Sequence, residues 1–199
     1  MKRPGPFTIL FFVVFLTAVF AGQGFFSAVE AEGAPQKNEP VSVLRKKAEN
    51  GDAEAQLSLG VSYDKGEGVP QNYAEAAKWY RKAAEQGHVI AQYNLGDMYY
   101  EGAGVPRNYA EAAKWFRKAA DQGDPYAQYD LGSMYEEGKG VSRSYEKAYI
   151  WFTLAADFSM GELQEDLEDA IYRVMKKLSR NQLMDADRII RDWRPKKEK

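Results

Sequence analysis

The stretch Val89–Trp115, VIAQYNLGDMYYEGAGVPRNYAEAAKW, decides the fold, because versions of it occur three times along the chain. Residues 44–80, 80–116 and 116–152 align without a gap. Trp79, Trp115 and Trp151 stand 36 residues apart, and the same step relates Gly60, Gly96 and Gly132, then Tyr63, Tyr99 and Tyr135, then Gly51, Gly87 and Gly123. A fixed period of this length marks a stacked array, in which no unit can bury its apolar face alone. The expected fold class is all-α: an α-solenoid of three helix–turn–helix units.

Each unit reads as two helices. Asp52 is an expected N-cap, followed by Ala55, Leu59 and Tyr63 at helical spacing. Gly66 and Gly68 then supply the positive-φ positions that a helix stop and reversal require. Asn72 with Glu75, and Asn108 with Glu111, have the form of capping boxes for the second helix. That helix is expected to bury Tyr73, Ala76, Ala77, Trp79, Tyr80, Ala83 and Ala84. Gly60 and Ala76, small residues inside helices, let two axes approach closely. In the third unit Ser142 replaces Pro70 and Pro106, and Ile150 replaces Lys78 and Lys114, so its second helix should be more deeply buried.

The pattern A-x-A-Q-x-x-L-G-x-x-Y-x-x-G-x-G-V-P-x-[ND]-Y-x-x-A-x-x-W, almost whole in Val89–Trp115, resembles the Sel1-like repeat, a relative of the tetratricopeptide repeat with a slightly longer unit. The resemblance covers Leu44 to Phe152. It implies a non-enzymatic scaffold for protein–protein interaction, with the first helix of each unit lining a concave side. Relatives serve as assembly factors, as regulators of membrane sensor proteins and as parts of polysaccharide-export machinery.

Both ends of an array need covering. Residues 41–50 read as a partial N-terminal helix and residues 153–195 as a C-terminal cap. In the cap, Leu163, Leu167, Ala170, Ile171, Val174, Met175 and Leu178 share one helical face. Ser179 with Gln182 opens a last helix carrying Leu183, Met184, Ala186, Ile189, Ile190 and Trp193, stopped by Pro195. Residues 32–40 read as a linker. Residues 1–31 read as an export segment: Lys2 and Arg3 precede the apolar run Phe7–Ala21, and Val29-Glu30-Ala31 suits cleavage. No charge lies between Arg3 and Glu30, so the alternative is an uncleaved membrane anchor over residues 7–26. Either way the remainder is expected outside the cytoplasm, periplasmic or secreted.

Lys+Arg 27 against Asp+Glu 29 leaves no basic excess to bind nucleic acid. The absence of cysteine excludes disulfides, thiolate nucleophiles and Cys-ligated zinc. His88, the only histidine, occupies the position of Asp52 and Asp124 and reads as a surface residue at a helix start. Ser144-Tyr145-Glu146-Lys147 matches an S-x-x-K string, but Ser144 aligns with Asn72 and Asn108 and reads as a helix cap. No catalytic residue, cofactor or metal ligand is expected. The acidic group Glu162, Glu165, Asp166, Glu168 and Asp169 reads as the solvated start of a capping helix. Its alternative is an exported hydrolase or carbohydrate binder using Glu165 and Asp166 with the aromatic residues.

Positions identical in all three units are explained by packing and turns, whereas positions that vary are free to serve a partner. On the first helices the trio Glu54/Ser58/Ser62 becomes Ile90/Asn94/Met98 and then Tyr126/Asp130/Met134. Read at i, i+4 and i+8 as one face, these residues form the expected binding surface for a protein partner, with Ile90, Met98, Tyr126 and Met134 exposed. Packing between neighbouring units is the competing explanation of the same stripe.

Overall fold

The computed structural model describes residues 40–157 and 162–196. The expected export segment and nearly all of the linker lie outside the described residues. Among the described residues all regular structure is helical, in nine helices. A short α1 (Val41–Glu49) precedes three pairs: α2 (Ala53–Lys65) with α3 (Tyr73–Glu85), α4 (Val89–Glu101) with α5 (Tyr109–Asp121), and α6 (Pro125–Glu137) with α7 (Tyr145–Ala156). Helices α8 (Glu162–Met175) and α9 (Arg180–Asp192) follow. No described helix is long and apolar enough to cross a membrane.

The ends of these helices are written locally. Asp52 and Asp124 accept hydrogen bonds from the Ala55 and Ala127 amides at 2.9 and 2.7 Å. Asn72 and Asn108 accept from the Glu75 and Glu111 amides at 3.1 Å. Glu75 and Glu111 pair at 2.6 Å with Lys78 and Lys114. Ser144 caps α7 through the Lys147 amide. At Ser179 and Gln182 both halves of a capping box are present.

Each helix packs chiefly on the next in sequence, which is what makes the array quasi-one-dimensional. Within a pair the contact is close because the first helix has no side chain at its centre. A Cβ on Gly60, Gly96 or Gly132 would stand 2.5, 2.7 and 2.7 Å from Cδ1 of Tyr80, Phe116 and Phe152 respectively. Those three rings are at most 1% exposed. Between pairs a shared apolar core is joined by buried polar contacts. Gln56, Gln92 and Gln128, buried at 4%, 0% and 0% exposure, donate to the Ala48, Ala84 and Ala120 carbonyls at 3.0, 3.1 and 3.1 Å. These carbonyls belong to the end of the preceding helix, where the Gly51, Gly87 and Gly123 amides donate to them at 3.2, 3.1 and 3.0 Å and the glutamine adds a second donor. Gln86 and Gln122 extend the joint by donating to Gln56 and Gln92 at 2.8 Å. Arg45, Arg81 and Arg117 each donate to the hydroxyl of Tyr63, Tyr99 and Tyr135, repeating one clamp three times.

The cap departs from a simple continuation. Both α8 and α9 pack on α7, so α7 is the most enclosed helix of the array and Ile150 is buried where Lys78 and Lys114 are exposed. Tyr149 donates to Asp187 of α9 at 3.1 Å. After α9 the chain returns to the α5–α6 turn, where the Lys196 amide donates to the Asp121 carbonyl at 2.8 Å. Two expectations of burial fail. Met184 and Ile189 are 61% and 46% exposed, because α9 presents Ala186, Ile190 and Trp193 to its neighbours. Tyr73 is 44% exposed although Tyr109, one unit later, is partly buried. The ring of Tyr100 lies 5.1 Å from Tyr109, and its counterpart in the first unit is Asp64, which offers no such cover.

Candidate protein-binding face

The variable stripe on α2, α4 and α6 is real, but its register is i, i+4, i+7 and i+11. Ile90 and Tyr126 are 52% and 57% exposed, as the sequence suggested. Met98 and Met134 are 4% and 1% exposed, packed into the core with the neighbouring helices, and so are removed from the candidate face. The reason is angular: at 100° per residue, i+8 is rotated by about 80° from i, while i+7 is within about 20°. The positions of that register are therefore the exposed Glu54, Lys65, Ile90, Asp97, Glu101, Tyr126 and Glu137, with Ser58, Val61, Asn94, Asp130 and Ser133 half-buried among them. Asp97 and Glu101 were missed by the sequence reading, although their i+7 and i+11 spacing from Ile90 was available to find them. Ser62, the first-unit counterpart of Met98, stands at the same i+8 position and so is rotated off this face.

Tyr126 is not isolated. Its ring centroid lies 6.3 Å from that of Tyr93, which sits one turn after Ile90 on α4 and itself packs 5.6 Å from Phe116. Ile90, Tyr93 and Tyr126 thus form an apolar patch supported from beneath by the core. Glu54 is tied to the next unit: its Oε2 lies 2.9 Å from Nε2 of His88, so the histidine at the start of α4 bridges two units.

Carboxylates gather beside the apolar patch. Asp64 accepts from the Tyr80 hydroxyl at 3.3 Å. Asp130 accepts from the Tyr93 hydroxyl, yet burial pushes its carboxyl up to about 6, with the charges of Asp97 and Asp124 adding to the rise. Loss of hydration, then Glu101 and Asp64, pushes Asp97 up as well. Tyr80 and Tyr93 are raised, first by burial and next by Asp64 and Asp130 respectively.

An ordinary aspartate titrates near pH 4. Between about pH 4 and 6 the folded chain therefore holds a proton on Asp130 that the unfolded chain has lost, and stability falls as pH rises through that window. Asp130→Asn is expected to stabilise the fold at pH 7 by about 1–2 kcal/mol after solvent screening, and to give no gain below about pH 4. Urea titrations of the two proteins at pH 7 and at pH 3.5 check this; an equal effect at both would remove the electrostatic explanation.

On α8, Glu165, Asp166, Glu168 and Asp169 are all exposed. Among the described residues no group of three His, Asp or Glu side chains is placed to hold a metal ion.

Helix pairs stacked in register, joined by buried glutamines and open on the first-helix face, define a helical-repeat solenoid. The chain belongs to the Sel1 repeat family, whose repeat matches residues 53–88, 89–124 and 125–157. These units begin at the first helices; the sequence alignment cut the same 36-residue period at another phase. Among solved structures it is similar to a Sel1 repeat protein from Oxalobacter formigenes, with 39% identity over 65% of this chain and 97% of that one, at a TM-score of 0.59. It is also similar to a protective antigen present in uropathogenic Escherichia coli strains displaying an SLR fold, with 31% identity over 77% of this chain and 40% of that one, at a TM-score of 0.57. No curated protein matches it. Sel1 repeat proteins generally mediate protein–protein interaction and generally act as scaffolds without enzymatic activity.

Proposed function

We propose that this chain is a non-enzymatic adaptor of the cell envelope or extracellular space that holds a segment of a partner protein on the face formed by α2, α4 and α6. The observation that carries the reading is the pair Ile90 and Tyr126, more than half exposed at positions where the repeat leaves the residue free to vary. Apolar groups kept in water at unconstrained positions mark an interaction surface. Export is proposed from Lys2, Arg3 and the apolar run Phe7–Ala21 alone, with release or anchoring through residues 7–26 as the two routes.

The test uses Ile90→Lys and Tyr126→Lys in the full chain, since a lysine at buried Met98 would unfold the unit instead. Partners crosslinked in the envelope fraction are expected to be lost from both variants, while circular dichroism shows an unchanged helical fold. Undiminished capture by both would reject the face. Hydrolytic activity abolished by Glu165→Gln or Asp166→Asn would replace the adaptor reading with an enzyme.

A further inference from the structure

We infer that the occupant of this face is an extended protein segment in which an apolar residue stands beside two or more lysines or arginines, the apolar side chain seated on Ile90, Tyr93 and Tyr126 and the cations among Asp64, Asp97 and Asp130. The inference rests on the adaptor reading and names its partner chemistry.

Charge complementarity selects this occupant. The three aspartates are 33 residues apart, one repeat less one short turn, and so form a diagonal row across α2, α4 and α6. Asp64 acts on Asp97 and Asp97 on Asp130, so the row is electrostatically continuous. Several carboxylates elsewhere are neutralised by a cation. Glu75, Glu111, Asp121, Glu136, Glu137 and Asp185 each hold a lysine or arginine within 3.1 Å. Among the described residues, no lysine, arginine or histidine pairs with Asp64, Asp97 or Asp130.

Packing does not demand the two central charges. Asp97 stands where the other units have Val61 and Ser133, and Asp130 where they have Ser58 and Asn94. Lys65 and the Glu54–His88 pair lie at the α2 side of the face and leave its centre negative. An incoming lysine or arginine relieves the mutual repulsion of the row, and contact of its apolar neighbour with Tyr126 adds area burial.

The experiment is fluorescence anisotropy of the full chain with two end-capped labelled peptides of equal length, one alternating leucine with lysine and one alternating leucine with glutamate. The lysine peptide is expected to bind, with affinity falling as salt rises, and the glutamate peptide to stay free. Asp97→Asn combined with Asp130→Asn should weaken the lysine peptide about ten-fold or more, and Tyr126→Ala should weaken it independently. Glu165→Gln with Glu168→Gln removes equal charge from α8 and should change nothing.

Equal binding of both peptides, or insensitivity to the aspartate pair, overturns the inference. So does self-association of the chain abolished by Asp97→Lys, which would make a second copy the occupant. Loss of the crosslinked partner in Tyr126→Lys without any binding of the lysine peptide overturns this partner chemistry alone. Unchanged crosslinking in both face variants overturns the adaptor reading with it.

Discussion

Gly104→Ala is expected to cost the fold more than about 3 kcal/mol, among the largest effects of any single methyl added to this chain. A Cβ there would stand 2.2 Å from the backbone carbon of Tyr73, 2.3 Å from its carbonyl oxygen and 2.6 Å from the Ala74 nitrogen. None of these is the far end of a flexible side chain, so relief requires the turn of the second unit to separate from the start of α3 in the first. The residue also has φ +69°, where a side chain is strained in any case. Gly68, at the same place in the first unit with φ +75°, provides the control. Its Cβ would meet only Cγ2 of Val41, at 2.7 Å, a side-chain tip that can turn aside. Gly68→Ala should therefore cost about 1 kcal/mol, mostly backbone strain. Urea denaturation of both variants separates close approach between units from local φ; equal losses would show that the inter-unit contact matters little.

Phe116→Ala is expected to cost about 3–5 kcal/mol and to broaden the unfolding transition. The ring is 1% exposed, lies over Gly96, and has Tyr93 and Tyr100 at centroid distances of 5.6 and 6.5 Å. It belongs to the middle unit, so its loss weakens the coupling between first and third as well as the pair it sits in. In a one-dimensional array, loss of a central coupling divides one cooperative transition into two. Scanning calorimetry showing a single sharp transition at an unchanged Tm would refute both parts.

Much of this fold was legible because its signals are local. Asp52, Asn72, Asn108, Asp124, Ser144 and Ser179 cap the helices they precede, and glycines close α2, α4 and α6 with φ between 75° and 79°. Periodic glycine and tryptophan positions gave the stacking unit. The binding face was legible only in part. Ile90 and Tyr126 were found as departures from the repeat, whereas Met98 and Met134 were assigned to the face through a spacing that overshoots it by about 80°.

Asp97 and Asp130 show the limit more sharply. Each is an ordinary polar residue on a helix when read along the chain, and Asp130 is unusual only because it is half-buried where Tyr93 and Asp97 from α4 and Asp124 from the turn before α6 converge on it. The glutamine joints are similar: Gln56, Gln92 and Gln128 recur in the pattern, but a buried amide is sensible only once the Ala48, Ala84 and Ala120 carbonyls are seen beside it.

The sequence by itself determined the helices, their ends, the 36-residue period and the absence of thiol chemistry, since propensity, capping and periodicity act within a few residues or one repeat. Tertiary structure alone decided which side of α4 and α6 meets water, that α8 and α9 both enclose α7, and that three aspartates 33 residues apart share one unneutralised row. Those outcomes depend on how successive units sit against each other, which the close approach of Gly104 and Gly140 to the Tyr73 and Tyr109 backbones and the buried Gln56, Gln92 and Gln128 set, rather than any run of residues along the chain.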